Sequence, residues 1–540
     1  MVSPDVPSAS PRSPTVKLTT GPRRIVGHRG SGLPNNALTS GLDGARLSPH
    51  APEPAIATAH VPEPVLLPGR RPRVRVGRPA PHVSAAAVLL PVALSLALGL
   101  WGVGRGGSLW RDEAVTYDMA QRSLPDLAGT LAQADAVHGL YYLLLHGLFE
   151  VSGGLDPLLV IRLPSVLAAA AASGLVALLG HRLAGARAGL LAGIAFALLP
   201  PVQRYAQEGR SYALVCALVA WASYLLLGAV RSGRRRAWAG YAAVLLSACL
   251  LHEFAVLAAL AHLVALPRPA RRAGLAAICA VGAGLTPLAV LSMGQSEQVG
   301  WIGGPGAGAL LGFAGVALLG TGCAVLAKGP LPRLALPLLV LPALTLLLLS
   351  PLKPLYVDRY VLYGHLGTAL LIGAALDRLL RARAVPVLIA TGVATVAAVA
   401  ALVPTTLDLR TPESRTDDVT AIAQAVRETN ADAIVFMPSR RRVWTLTDPS
   451  SLHGMRDLAL ERSPADSRTL YGTEVPAAEI RARLLATDRV VALRDPAGQP
   501  VDRTAQEITK RRVLDRHFVE CGTRTLQGAR ITVHARPGSC

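Results

Sequence analysis

The chain has 540 residues, of which 51% are hydrophobic and only 16% charged, and its mean hydropathy is +0.41. A soluble protein has no place to bury so much apolar surface, so the composition excludes that class and indicates a polytopic membrane protein. The formal net charge of +20 comes from basic residues in the N-terminal segment and in short loops between apolar runs. That distribution orients membrane proteins, and we therefore expect no nucleic-acid partner.

Residues 1–83 are rich in Pro, Arg, Ser and Ala and have no periodic apolar pattern. This composition predicts a disordered, basic tail. Several arginines between positions 70 and 78 directly precede the first apolar run, which predicts a cytoplasmic N-terminus. Contact with anionic lipids is an alternative role for these arginines.

Residues 84–404 are predicted to form the membrane domain, with about eleven to thirteen transmembrane helices. The first span runs from about Val83 to Val103, and the last from about Val385 to Val403. Five basic loops should mark the cytoplasmic side: 181–187, 231–236, 268–272, 328–333 and 378–383. Less basic loops should lie outside: 203–212, the turn at 252–253, 295–305 and 353–363.

Three regions of this domain need separate treatment. Residues 115–136 are polar and amphipathic, which predicts short helices on the membrane surface. Residues 139–180 form either two crossings or one crossing and a half-inserted helix, since 139–151 is short for a crossing. The run 238–266 is short for a hairpin and long for one helix, and the positive-inside rule favours the hairpin.

Residues 405–540 are predicted to form a small extracytoplasmic α/β domain, because helical and strand patterns alternate there. The helical segments are 417–428, 479–486 and 505–513, and the strands are 433–437, 489–494, 517–520 and 529–534. Cys521 and Cys540 can pair if this domain is exported, which would contribute roughly 3 kcal/mol. A packing or acceptor-positioning role is favoured over a second active site.

Two adjacent carboxylates, Asp112 and Glu113, follow the first span. Acidic residues favour helix N-termini, so a capping role is the simpler interpretation. Trp110 beside the pair suits the membrane interface, however, and His138 and Tyr141 return to the same side. Polar residues at membrane depth are costly and tend to mark sites.

Other polar groups are predicted on the same side of the membrane. Arg210 suits a phosphate because its planar guanidinium offers parallel donors, although neutralisation by Glu208 is an equal alternative. His252 belongs either to a polar turn or to a site, and Arg359 either holds a lipid phosphate or pairs with Asp358. Taken together, these groups fit a transferase in which a carboxylate deprotonates an acceptor hydroxyl and arginines stabilise a leaving phosphate.

Five short motifs in this order resemble the bacterial family 39-type glycosyltransferases. They are Ser108–Ala114, His138–His146, Arg162–Ser165, Tyr205–Leu214 and Leu251–Phe254. That family consists of GT-C-fold membrane enzymes related to protein O-mannosyltransferases and to the lipid A aminoarabinose transferase. The resemblance covers roughly residues 84–404, and the C-terminal region looks like the exported domain of many members.

The resemblance implies a polyprenyl-phosphate-linked sugar donor, Asp112 as catalytic base and Glu113 as its partner. The donor-site and phosphate-binding candidates are Arg111, His138, Tyr141, Tyr142, Gln207, Glu208, Arg210, Tyr212, His252, Arg359 and Tyr360. The family commonly has two prolines where this chain has Gly139-Leu140, and often a tyrosine where it has Glu253. The second difference bears on the sugar or acceptor preference. Members differ in metal involvement, and no cofactor or metal-ligand cluster is indicated by this sequence.

We therefore expect an inverting glycosyltransferase on the outer face of the cytoplasmic membrane. It would transfer a sugar, with mannose as one candidate, to a protein, a lipid or a cell-wall glycan. A transporter or lipid flippase is the alternative, although the sequence lacks the paired halves such folds contain. A non-catalytic scaffold presenting the C-terminal domain is a third hypothesis, but it assigns no role to the acidic pair.

Overall fold

The computed structural model describes residues 85–296, 302–429, 431–452 and 454–540. The predicted tail over residues 1–83 and part of the predicted outer loop 295–305 lie outside the described residues.

The first part of the described chain is helical. Its helices are α1 (Ala85–Leu100), α2 (Arg111–Gln121), α3 (Leu124–Leu131), α4 (Gly139–Val151), α5 (Pro157–Ala184), α6 (Ala186–Leu198), α7 (Pro200–Ala206), α8 (Tyr212–Ser232), α9 (Arg235–Leu251), α10 (Leu257–Ala265), α11 (Arg271–Gly294), α12 (Ala307–Leu326), α13 (Leu331–Leu349), α14 (Gly364–Leu379) and α15 (Val385–Asp408). The protein is a polytopic α-helical membrane protein, as predicted.

Seven helices in the described ranges are long and apolar enough to cross a membrane, or eight if the bent pair α6–α7 is one span. The expected eleven to thirteen crossings exceed this number. Helices α9 and α14 have 17 and 16 residues, which is at and just below the lower limit of the roughly 17 to 25 residues that span a bilayer. The total count therefore stays a prediction. Each of the five basic loops does connect two helices.

The two ambiguous regions adopt distinct geometries. Residues 139–180 form two helices, and α4 is only 13 residues long. The run 238–266 is interrupted at His252, whose backbone is extended (φ −163°, ψ 117°). Helix α9 packs mainly on α8 and α11, whereas α10 packs mainly on α13, so the main neighbours of the two halves differ.

Small residues allow the central helices α5, α6 and α14 to pack closely. A Cβ atom on Gly189 of α6 would lie 2.3 Å from the carbonyl oxygen of Ala177 in α5. A Cβ atom on Gly373 of α14 would lie 2.4 Å from the backbone nitrogen of Ala192 in α6. Such contacts replace the hydrophobic effect as the source of helix association inside a bilayer.

The chain then forms a small α/β domain, which confirms the predicted class. Its elements are α16 (Val419–Arg427), β1 (Ala433–Met437), β2 (Arg456–Asp457), β3 (Leu460–Arg462), α17 (Pro464–Ser467), β4 (Thr473–Glu474), α18 (Ala477–Leu485), β5 (Arg489–Arg494), α19 (Ala505–His517), β6 (Val519–Leu526) and β7 (Ala529–Ala535). The main sheet has the order β2-β1-β5-β7-β6, in which β2, β1 and β5 are parallel and β7 and β6 antiparallel. Cys521 and Cys540 form a disulfide.

Candidate active site

Helix α2 presents the two adjacent carboxylates to different environments. The Asp112 side chain is 22% exposed, and its Oδ2 lies 3.8 Å from Nη2 of Arg359. The Glu113 side chain is fully buried. Because neighbouring residues on a helix point about 100° apart, only one of the pair faces outwards.

A chain of hydrogen bonds links Arg210 to a second carboxylate beside Asp112. Nη1 of Arg210 donates to the hydroxyl of Tyr142 at 3.1 Å and to Oγ1 of Thr116 at 3.2 Å. The Tyr142 hydroxyl donates to Asp135. Thr116 also donates to the backbone carbonyl of Asp112 at 2.8 Å. The network therefore joins α2, α4 and the turn before α8 around one centre.

Rings from four separate elements form one wall of this centre. His252 lies 4.6 Å from Tyr360, 5.5 Å from Tyr212 and 5.8 Å from His138, measured between ring centroids. The guanidinium of Arg359 lies 5.9 Å from the ring of Tyr212 and 5.7 Å from that of Tyr360. The rings and the guanidinium together make an aromatic and cationic surface.

Burial controls the charge states at this centre. It raises the pKa of Asp135, although Arg210 and the Tyr142 hydroxyl oppose the shift. It also lowers the pKa of His138 well below 6.5, and Arg210 adds to that shift. His138 is therefore neutral at pH 7 and able to accept a hydrogen bond.

Glu113 belongs to a separate buried cluster. Its carboxylate accepts two hydrogen bonds from Arg162, at 2.8 and 2.7 Å, and one from Arg105 at 2.8 Å. The backbone N–H of Gly209 donates to the same carboxylate at 3.0 Å. Glu113 thus ties α2 to α5 and to the loop before α8.

The residues of the predicted loop Gln207–Tyr212 have different partners. The Gln207 amide donates to the carbonyls of Gly99 and Trp101 at the end of α1, at 2.9 and 2.7 Å. Glu208 pairs with Arg415 at 3.1 Å. Glu208 therefore has Arg415, and not Arg210, as an ion-pair partner. Within this loop, Arg210 and Tyr212 belong to the cluster beside Asp112.

Two further candidates point away from the cluster. Tyr141 is fully buried and donates to the carbonyl of Ile161 at 3.2 Å. Arg111 contacts the C-terminal domain, where its side chain donates to Thr416 at 3.3 Å. Both contacts lie outside the cluster, and the donor-site roles that the resemblance implied for these two residues stay predictions.

Some residues near this centre are not among the site residues predicted from the sequence. One of them is Asp135, whose carboxylate accepts the hydrogen bond from the Tyr142 hydroxyl. Asp358 accepts a hydrogen bond from the Tyr205 hydroxyl at 3.0 Å, and the neighbouring Arg359 lies 3.8 Å from Asp112. Tyr471 of the C-terminal domain lies near both acids: burial, with the charges of Asp135 and Asp112, raises its pKa to about 12. Tyr205 lies in one of the five motifs and Asp358 is the sequence neighbour of Arg359, whereas no pattern in the sequence points to Tyr471.

Within the described ranges, no group of three or more His, Cys, Asp or Glu side chains is placed to hold a metal ion.

One protein-family model matches residues 140–293, and it is described as dolichyl-phosphate-mannose-protein mannosyltransferase. The matched segment includes Tyr142, Arg210, Tyr212 and His252 of the cluster. No functionally curated protein matches the chain in sequence.

Two solved structures of one protein have a similar fold. The crystal structure of ArnT from Cupriavidus metallidurans bound to undecaprenyl phosphate has a TM-score of 0.51 and 13% sequence identity. The apo structure of the same protein has a TM-score of 0.51 and 14% identity. Each match covers 83% of this chain and 98% of the other. The chain therefore has the GT-C fold that the sequence motifs implied.

Proposed function

We propose that this protein is a membrane glycosyltransferase that uses a polyprenyl-phosphate-linked sugar. The observation that carries the proposal is the juxtaposition of a partly exposed Asp112 with Arg359, beside Arg210 and an aromatic wall. ArnT, which shares the fold, is described as bound to undecaprenyl phosphate, and this supports the same donor class here.

The proposed reaction is a single displacement with inversion at the anomeric carbon. Asp112 accepts the proton of an acceptor hydroxyl, whose oxygen forms a bond to the anomeric carbon. The bond between that carbon and the phosphate oxygen breaks, and polyprenyl phosphate leaves as the anion. Arg210 and Arg359 stabilise the negative charge that develops on it.

Unsatisfied polar atoms support a ligand at this centre. Nδ1 of His138, Nδ1 of His252 and Nε of Arg210 are buried without a hydrogen-bond partner among the described residues. Buried polar groups without partners are uncommon in native proteins. Hydroxyl or phosphate oxygens of the donor are suitable partners for these atoms.

We assign Glu113 a positioning role and not a role as proton-transfer partner. Its two oxygens already accept from Arg105, Arg162 and Gly209, and its side chain is inaccessible to an acceptor. Asp135 is better placed to act beside Asp112, since it is linked to Arg210 through Tyr142.

We further propose that this centre and the C-terminal domain face the outside of the cytoplasmic membrane, with the N-terminus in the cytoplasm. The domain pairs directly with the segment before α2, so both lie on one side. A disulfide such as Cys521–Cys540 is typical of oxidising compartments, which favours the extracytoplasmic side.

The test is transfer of labelled mannose from polyprenyl-phosphate-mannose in membranes with matched protein levels. Mannose is tried first because the matching family model is described by a mannose donor. Asp112→Asn should reduce transfer by about 10²- to 10⁴-fold. Asp126→Asn is the matched control, because the Asp126 side chain is 41% exposed in α3 and should not affect transfer. Equal transfer by wild type and Asp112→Asn would remove Asp112 from the mechanism.

A transporter or a scaffold predicts a different result. Neither would show Asp112-dependent transfer from any lipid-linked sugar donor to a protein, lipid or glycan acceptor.

A further inference from the structure

The N-cap residue of helix α2, which carries Asp112, provides no capping side chain. The N-cap position is occupied by Trp110, which has extended backbone angles (φ −114°, ψ 164°) and makes no side-chain capping hydrogen bond. Helices begin with backbone N–H groups that lack intrahelical partners, and short polar side chains usually satisfy them. An indole cannot accept such a bond.

Asp417 of the C-terminal region supplies the missing acceptor. Its Oδ1 accepts the backbone N–H of Arg111, the first residue of α2, at 3.1 Å. Its Oδ2 accepts the indole N–H of Trp444 at 2.9 Å and lies 3.7 Å from Nε of Arg111. The Asp417 side chain is only 1% exposed. A buried carboxylate at a helix N-terminus also interacts favourably with the helix dipole.

The contact is reinforced by a short seam between the two parts of the chain. The backbone N–H of Val419 donates to the carbonyl of Leu109 at 2.8 Å. The N–H of Leu109 donates to Oγ1 of Thr420 at 3.2 Å, and the Thr420 hydroxyl donates to the carbonyl of Gly107 at 3.0 Å. The start of α2 is therefore held by the C-terminal region on consecutive residues.

We propose that Asp417 is a positioning residue that sets the orientation of α2 and thereby of Asp112. The inference rests on the proposed role of Asp112 as the base. It assigns the C-terminal domain a part in catalysis without any contact of Asp417 with the substrate. Arg210 and Arg359 come from other elements, so donor binding should not depend on this cap.

The cap itself is tested by hydrogen–deuterium exchange of the purified full-length protein. In Asp417→Ala, exchange at the start of α2 should rise about fivefold, the factor that corresponds to one lost cap. Asp418→Ala is the matched control, because Asp418 caps its own helix α16 through the Ala421 N–H at 3.0 Å. Unchanged exchange at α2 in Asp417→Ala, or an equal rise in Asp418→Ala, would overturn the proposal.

The catalytic consequence is tested by steady-state transfer kinetics. Asp417→Ala should lower kcat by about 10- to 100-fold, since small misplacements of a reacting group have effects of that order. KM for the donor should stay within about twofold, because uniform binding is not lost. Asp417→Asn keeps an acceptor for the Arg111 N–H and should recover most of kcat.

Two results would contradict this part of the inference. One is a kcat for Asp417→Ala equal to that of Asp418→Ala, and the other is a raised KM with unchanged kcat. If the wild type transfers no sugar, the proposed function fails, whereas the exchange measurement still decides whether Asp417 caps α2.

Discussion

Glu113→Gln should destabilise the protein, although the neighbouring Asp112→Asn should mainly abolish activity. The substitution keeps the size of the side chain and removes its charge. It leaves the guanidinium groups of Arg105 and Arg162 buried around a neutral amide. Removing one partner of a buried ion pair is strongly destabilising because the remaining charge is uncompensated.

The magnitude follows from the pKa of Glu113. Burial alone would raise it, but Arg105 and Arg162 outweigh that effect and lower the pKa from 4.5 to about 2. A shift of this size corresponds to about 3 kcal/mol of stability at neutral pH. Because the folded-state pKa is depressed, this stabilisation is present above pH 4.5 and is lost as the pH falls towards 2.

The assay is thermal unfolding of the detergent-purified variants at matched heating rates. Glu113→Gln should unfold at a lower temperature than the wild type at pH 7, and the difference should narrow below pH 4.5. Asp112→Asn is the matched control, since the Asp112 side chain is 22% exposed and 3.8 Å from Arg359. If Glu113→Gln unfolds at the same temperature as the wild type but loses transfer activity, the proposed positioning role of Glu113 is wrong and a catalytic role is favoured.

Three further perturbations follow from the structure. Arg359→Lys keeps the charge but loses the planar guanidinium, so we expect kcat/KM for the donor to fall by about tenfold in the mannose-transfer assay; unchanged kinetics would place the phosphate elsewhere. Cys521→Ser opens the disulfide to Cys540 and should reduce stability by about 3 kcal/mol, and a reductant should shift the unfolding temperature of the wild type but not of the variant. Lys510→Met leaves Glu474 and Glu507 without the buried ammonium that contacts them at 2.7 and 2.6 Å. The C-terminal domain should lose about 3 to 5 kcal/mol of stability, and limited proteolysis should therefore cut it faster.

Local patterns in the sequence were sufficient for the class of the protein and for most of its elements. Apolar runs of membrane length, basic loops and alternating patterns after residue 405 depend on near neighbours alone, and each has a counterpart in the structure. The break at His252 was visible for the same reason, because a polar pair interrupts a continuous apolar run. The number of transmembrane spans was harder to predict, since composition does not distinguish helices near the minimum length from half-inserted helices.

The partners of the charged residues in the site depended on tertiary structure. Asp112 and Glu113 are adjacent and both acidic, and only the packing of α2 against α5 makes one of them a buried ion-pair partner. Arg111 is bound by Asp417, 306 residues away, a contact that no local pattern encodes. Periodicity reports which face of an element is buried, but the partner of a charged group depends on which distant segments the fold brings against it. Most of the candidate residues were therefore identifiable from the sequence, whereas their contacts depended on the folded chain.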